Sequence, residues 1–388
     1  MKVKGFATRA IHDAEKPLQD TGEYGDVVVP IHLTTTFARK EPETATKGMD
    51  YSRTGNPTRA ALEKKLASLE QARHGLAFAS GLAAEAAVIM ALLKSGDAVI
   101  AGEDLYGGTR RLLVNFGARF GIKVIFADLS NHENIQQLIT KETKMIWCET
   151  PSNPFLKITP LREVSKIASE HGILTVADNT FASPFFQNPI RLGCDVVMHS
   201  TTKYIGGHSD TIGGAVVTDS DELFQSVKFF QNAAGGIMSP FDSYLTLRGA
   251  KTLSARMVIH ERNAKSIANY LASSGKAKEV FYPGLESHPL HAVAARQMSG
   301  FGGMVSVRLN TDLNGVRRFL SNLELFSLAE SLGGVESLIE VPSMMTHLSV
   351  PLEERKRLGI DESLIRISAG IEDERDLLDD LSKALEHV

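Results

Sequence analysis

The chain is predicted to be an α/β protein: a large mixed, mostly parallel sheet domain with helices on both faces, followed by a smaller C-terminal α+β domain. Three observations carry this reading. Short apolar, β-rich runs alternate with helical stretches from about residue 76 to 218, the pattern of strands joined by crossover helices. Ser80, Glu149, Asp178 and Ser200 each follow such a run directly, and in open α/β sheets ligands bind beyond the carboxyl ends of strands. After about residue 235 the alternation gives way to a long helical region and isolated strands.

Taken in order, residues 1–55 show little regular periodicity, with turns expected around Gly22, Gly25, Pro30 and Pro42. They read as an extended N-terminal arm. A helix opens at Asn56-Pro57, with Asn as N-cap and Pro at the first helical position. Its apolar stripe is Leu62, Leu66 and Leu69. Strands are expected at 76–79, 98–101, 124–127, 145–148, 174–177, 196–198 and 215–217. Helices are expected at 82–94, closed by Gly96, and at 160–171, capped by Thr159 and stopped by Gly172. Residues 56–239 thus form the large domain. In the small domain, 240–388, a long helical region follows Pro240 and strands are expected at 304–309 and 364–367. No internal repeat and no low-complexity tract interrupts the chain.

With 388 residues there is enough chain for two domains and a large core. Hydrophobic residues at 43% and charged residues at 23% describe an ordinary globular protein. A net charge of −4 offers no footprint for nucleic acid. No apolar run approaches the roughly 20 residues of a membrane span, and the first residues lack the apolar stretch of a secretory signal. Cys148 and Cys194 both lie in apolar strand-like runs, so neither a disulfide framework nor a zinc site is expected. A cytoplasmic setting follows as an expectation. His199, His208 and His347 show no metal-ligand spacing and read as structural, and no metal is expected. Walker A, GxGxxG, HExxH and GxSxG patterns are absent.

Chemistry concentrates at two strand ends. Lys203 sits in Ser200-Thr201-Thr202-Lys203-Tyr204, after the apolar run 195–199. Asp178 ends the run Leu174-Thr175-Val176-Ala177. An amine and a carboxylate delivered to one crevice are what pyridoxal phosphate (PLP) requires: a lysine to condense with its aldehyde and an acid to keep its ring nitrogen protonated. Ser80-Gly81-Leu82 opens a helix after a strand, a natural phosphate cradle, and Ser200 and Thr202 add hydroxyls. Tyr106 precedes Gly107-Gly108 and reads either as core or as a stacking partner for a cofactor ring. Arg366, inside Leu364-Ile365-Arg366-Ile367-Ser368, reads either as a solvent-facing residue or as a bidentate carboxylate anchor.

Together these residues resemble the trans-sulfuration, or Cys/Met-metabolism, family of PLP enzymes. The matching blocks run end to end: YSRTGNPTR (51–59), SGLAA (80–84), YGGT (106–109), ETPSNP (149–154), DNTFASP (178–184), HSTTKYIGGHSD (199–210), SLAESLGGVESL (327–338) and LIRISAGIED (364–373). The resemblance implies PLP fold type I, the aspartate-aminotransferase-like fold, with pyridoxal 5'-phosphate joined as a Schiff base to Lys203. It implies that Lys203 also shuttles protons, that Tyr106 stacks on the ring and assists proton transfer, and that Asp178 pairs with the pyridine nitrogen. Gly81, Leu82, Ser200 and Thr202 would hold the phosphate. Tyr51 and Arg53 would reach the phosphate of a neighbouring subunit's cofactor in a homotetramer, a dimer of catalytic dimers. Asn153 would lie near cofactor and substrate, and Ser331 and Arg366 would bind the substrate and its α-carboxylate.

Within the family, methionine γ-lyases usually carry a cysteine two residues after the stacking tyrosine, where this chain has Gly108. Glu330 resembles the cystathionine-handling members, in which a carboxylate there would meet the distal ammonium of cystathionine. These residues favour cystathionine chemistry over methionine cleavage, as γ-elimination or γ-replacement on a sulfur amino acid, and are shared by γ-lyase and γ-synthase; cystathionine γ-lyase is taken first. Cystathionine γ-synthase comes next, then methionine γ-lyase; a PLP aminotransferase and a non-catalytic PLP-binding protein stand further off.

Overall fold

The computed structural model describes residues 4–22 and 24–388. Seven strands form the large sheet: β1 (His74–Phe78), β2 (Ala98–Gly102), β3 (Lys123–Ala127), β4 (Thr143–Glu149), β5 (Leu174–Asp178), β6 (Val196–Ser200) and β7 (Gly214–Thr218). Their order is β1-β7-β6-β5-β4-β2-β3. Only β7 runs against its neighbours. The strands from β6 to β3 pair parallel. The expected mixed, mostly parallel sheet is what forms.

Period-two alternation explains the helices on both faces. Val99, Trp147, Val176 and Val196 pack to one side with Ala84, Ala87 and Val88 of the helix Gly81–Leu92. Their strand neighbours Ile100, Ile146, Cys148 and Ala177 pack to the other, against Leu161, Val164 and Ala168 of the helix Leu161–Glu170. Both faces are apolar, so both must be covered.

Caps set where helices start. The Asn56 side chain accepts from the amides of Thr58 and Arg59 at 3.0 and 3.3 Å, fixing the helix Pro57–Leu69. Ser80 accepts from the Ala83 amide at 3.1 Å. A Cβ on Gly81 would stand 3.0 Å from the Ser200 Cβ, so glycine lets this helix start press against the end of β6.

A second, smaller sheet follows: β8 (Ala277–Phe281), β9 (Met304–Leu309), β10 (Ser327–Leu328), β11 (Leu338–Glu340) and β12 (Leu364–Ser368), ordered β10-β11-β12-β9-β8. Val305, Val307, Ile365 and Ile367 pack there with Ile267 and Leu271 of the helix Leu253–Ser273 and with Leu377 and Leu381 of the last helix.

Three local expectations fail. The arm contains a short helix, Phe6–His12. Thr159 does not cap the helix after it: its amide is held by the Thr150 hydroxyl at 3.0 Å, and the helix begins at Leu161 with no side-chain cap. Strands β8, β10 and β11 are not evident in the sequence, two of them being only two and three residues long. Among the described residues no helix is long and apolar enough to cross a membrane.

Candidate active site

The carboxyl ends of β4, β5 and β6 open into a cavity of about 310 Å³ that the small domain closes from the other side. Gly81, Leu82, Tyr106, Asn153, Asp178, Ser200, Thr202, Lys203, Glu330, Ser331 and Arg366 all line it. Eleven residues predicted from separate stretches of chain therefore meet in one place. Tyr51 and Arg53 do not line it: both are exposed on the arm, with the Arg53 guanidinium on the Asn232 carbonyl at 2.7 Å and over the Tyr51 ring.

Lys203 follows β6, and its Nζ donates to the Ser331 hydroxyl at 2.8 Å. Burial, then the nearby Arg366 charge, push its amine down to about 8. A larger share of it is thus free base near neutral pH than for a surface lysine.

Asp178 ends β5, where its Oδ1 accepts from the Thr180 amide at 2.9 Å. It is 6% exposed, and among the described residues no lysine or arginine pairs with it. Burial raises it, while the Thr180 hydrogen bonds and His199 oppose the rise. A buried carboxylate of this kind asks for a cation from outside the chain. Glu149, at the end of β4, accepts from the Tyr106 amide at 2.9 Å and so sets the start of that loop. Tyr106 is 38% exposed, and its phenol is pushed up by burial. Gly108 lies against it: a Cβ there would overlap the Tyr106 ring as it stands, so a larger residue requires the ring to shift.

On the far side, β11 and β12 place Glu340 directly across from Arg366. The two side chains pair at 3.0 Å and are both buried. Arg366 also donates to the Asn153 Oδ1 at 2.9 Å and to the Ser331 carbonyl at 2.8 Å. It is not solvent-facing. Ser331 has φ of +89°, a region that costs a non-glycine residue energy and is tolerated where surroundings enforce it. His347 sits behind Asn153, its Nε2 donating to the Asn153 carbonyl at 3.2 Å.

Sequence reasoning missed Glu85 and Glu340. Glu85 lies in an alanine-rich helix and Glu340 in a three-residue strand; neither carries a local signal. Glu85 is 2% exposed and reaches the cavity, with its Oε1 accepting from the Thr109 hydroxyl at 3.1 Å.

The donor set suits PLP. Gly81 and Leu82 offer amides without intrahelical acceptors at a helix N-terminus, Ser200 and Thr202 add hydroxyls, Asp178 would meet a ring cation, and Lys203 would supply the amine. An α/β fold with this site defines a PLP-dependent enzyme. The chain belongs to the Cys/Met metabolism family of PLP-dependent enzymes, whose model matches residues 7–386. It is 50% identical to a cystathionine gamma-lyase of Dictyostelium discoideum over 381 residues, covering 98% of this chain and 97% of that one. It is also 50% identical to a cystathionine beta-lyase of Coxiella burnetii over 386 residues, covering 99% and 98%. Among solved structures, a cystathionine gamma synthase of Xanthomonas oryzae pv. oryzae in complex with cystathionine superposes with a TM-score of 0.96 at 44% identity, covering 100% of this chain and 99% of that one. The protein is thus a trans-sulfuration enzyme whose cofactor is PLP.

Proposed function

We propose that the protein is a cystathionine γ-lyase, converting L-cystathionine to cysteine, 2-oxobutanoate and ammonia. The observation that supports cystathionine as the substrate is the arrangement of Glu330 and Arg366 around Lys203 in one cavity. Arg366, held by Glu340, Asn153 and Ser331, fits the α-carboxylate of an amino acid. Glu330 stands exposed at the rim, placed to meet a distal ammonium that cystathionine has and methionine lacks.

When bound, PLP supplies the electron sink that makes the α-carbon acidic. The chain's own residues do the rest. Gly81, Leu82, Ser200 and Thr202 would hold the PLP phosphate, and Asp178 would keep the ring nitrogen protonated. Lys203 is the attachment point and the proton carrier: its amine takes the α-proton and returns protons along the substrate. Ser331 orients that amine at 2.8 Å. Tyr106 would stack on the ring, and its phenol, pushed up by burial, keeps its proton available to the departing sulfur.

The curated β-lyase relatives of equal similarity support a second reading, in which the other carbon–sulfur bond breaks. Product analysis of L-cystathionine turnover by the purified PLP-loaded protein separates the two. Cysteine with 2-oxobutanoate is expected. Homocysteine with pyruvate would establish β-elimination instead. No cleavage, with cystathionine formed from an O-acyl-homoserine and cysteine, would establish the synthase.

We further propose a homotetramer in which Tyr51 and Arg53 complete a neighbour's phosphate site, supported by their exposure outside the chain's own cavity. Mixing Arg53→Ala with Lys203→Ala chains should restore about a quarter of wild-type activity, since half of randomly paired dimers regain one of two sites. No recovery in demonstrated hybrids would exclude the shared site.

A further inference from the structure

We propose that Glu85 is a positioning residue for the ring-nitrogen end of the cavity: a neutral carboxylic acid beside Asp178, so that the two acids present one negative charge to the cofactor rather than two. This rests on the assignment of Asp178 to the ring nitrogen.

The geometry is specific. Glu85 stands on the first turns of the helix Gly81–Leu92, and helical side chains lean back toward the N-terminus, here toward the cavity it lines. Its Oε1 is satisfied by the buried Thr109 hydroxyl at 3.1 Å. Its Oε2 is buried with no partner among the described residues. An ionised oxygen left so would forfeit its full solvation; a protonated one loses far less.

The groups facing Glu85 offer no counter-charge. Asp178 faces it from β5 and Glu149 from β4, while Tyr106 and Thr109 come from the loop beyond β2 and the short helix Gly107–Arg111 that follows it. The cavity's two cations are engaged elsewhere, Arg366 with Glu340 and Lys203 with Ser331. Burial, and then the Asp178 charge, hold the Glu85 carboxyl well above the usual carboxylate range, with only the Thr109 hydrogen bond opposing them. Glu149 is likewise held well above the usual carboxylate range, by burial and then the Asp178 charge, so that Asp178 is left as the one ionised acid to balance the single positive charge of a pyridinium ring. A second ionised acid would leave surplus charge in a closed, poorly solvated space.

The test is an infrared difference spectrum between the wild-type holoenzyme and Glu85→Gln in D2O at mildly alkaline pH. The wild type is expected to show the carbonyl stretch of a protonated carboxylic acid that the variant lacks. PLP titration of the apoprotein is expected to give an affinity within about twofold of wild type, because an amide reproduces the neutral acid's shape and its acceptor for Thr109. Absence of the acid band in the wild type, or a change in affinity of about tenfold or more, would overturn the proposal. If Glu85→Gln does not fold, Glu85→Met, similar in volume and uncharged, gives the same infrared reading. Asp178→Asn tests the underlying assignment separately. An unchanged cofactor absorption band in that variant removes Asp178 from the ring nitrogen, whereas the Glu85 proton is read from its own infrared band.

Discussion

The half of the cavity built on the large sheet holds three buried carboxylates, Glu85, Glu149 and Asp178, and among the described residues no lysine or arginine pairs with any of them. The half built on the small sheet holds a buried arginine that already has its counter-ion, Arg366 against Glu340 at 3.0 Å. The difference follows what each half receives. On the proposed reading the first would take a cation, the protonated ring, which accounts for carboxylates left without a lysine or arginine partner. The second would take an anion, the substrate carboxylate. An unpaired buried guanidinium there would be costly, and Glu340 makes it tolerable while Asn153 and Ser331 fix its orientation. One half is completed by its ligand; the other is built in advance.

Lys203 joins the halves, and its loss breaks the comparison most severely. Lys203→Ala is expected to lower cystathionine turnover by at least about 10³-fold, since attachment point and general base vanish together. PLP should still bind, held by the phosphate cradle and Asp178. A variant that keeps normal turnover would dismiss the whole site. Next in size is Arg366→Ala, which leaves Glu340 buried and unpaired. Breaking such a pair costs on the order of 3–5 kcal/mol, so the thermal midpoint should fall, and kcat/KM should drop about 10²–10³-fold, mostly through KM. Glu340→Gln sharpens the point: if the pair is preorganisation for substrate, KM rises while PLP affinity stays at the wild-type value. A loss of PLP affinity instead would show that the two halves are not separate.

The two halves also differ in how plainly the sequence announces them. Lys203, Asp178 and the Ser80-Gly81-Leu82 cradle each follow an apolar run, and strand-end position is a property of local sequence. Arg366 was ambiguous because a lone arginine in a strand has two common fates. Its burial depends on Glu340, which pairs with it only through the register of β11 against β12. Glu85 was silent for the same reason. In an alanine-rich helix it looks like a solvated residue, and only the fold brings Thr109 and Asp178 against it. The Thr159 cap fails because the helix starts one residue later and its first amide, Leu161, donates to the Gln297 side chain at 2.9 Å. Period-two and period-3.6 patterns carry elements; they do not carry contacts made across the sheet or between the two domains.

Gly108 tests how tightly the ring side is packed. Gly108→Cys places a Cβ against the Tyr106 ring, so the tyrosine must move before it can stack. Turnover of cystathionine is expected to fall about tenfold, in keeping with about 1–2 kcal/mol of local strain. The variant should gain no methionine cleavage so long as Glu330 remains. Unchanged kinetics would mean that the ring is free to adjust, and would remove Gly108 as a reason to set methionine aside.

The smallest effect lies in the pH dependence of stability, where the two sides oppose each other. His347, behind Asn153, is pushed down to about 4 by burial and then by the Arg366 charge. Folded, it binds fewer protons than the unfolded chain between about 4 and its ordinary 6.5, so it withdraws stability as pH falls through that window. Buried His260, also pushed down to about 4 by burial, acts in the same direction. Asp104, beneath the Tyr106 loop, is raised by burial to about 6. It binds more protons folded than unfolded between its ordinary 3.8 and about 6, so acidification there adds stability. Each group acts only across its own window, His288, also pushed down to about 4 by burial, siding with the two histidines and the raised carboxyls of Glu85 and Asp178 siding with Asp104. Thermal midpoints of His347→Gln should fall less steeply over that range than those of wild type, while Asp104→Asn should fall more steeply. Equal slopes in all three proteins would mean that these groups meet water in the folded state, and that the side of the cavity built in advance is more open than its hydrogen bonds imply.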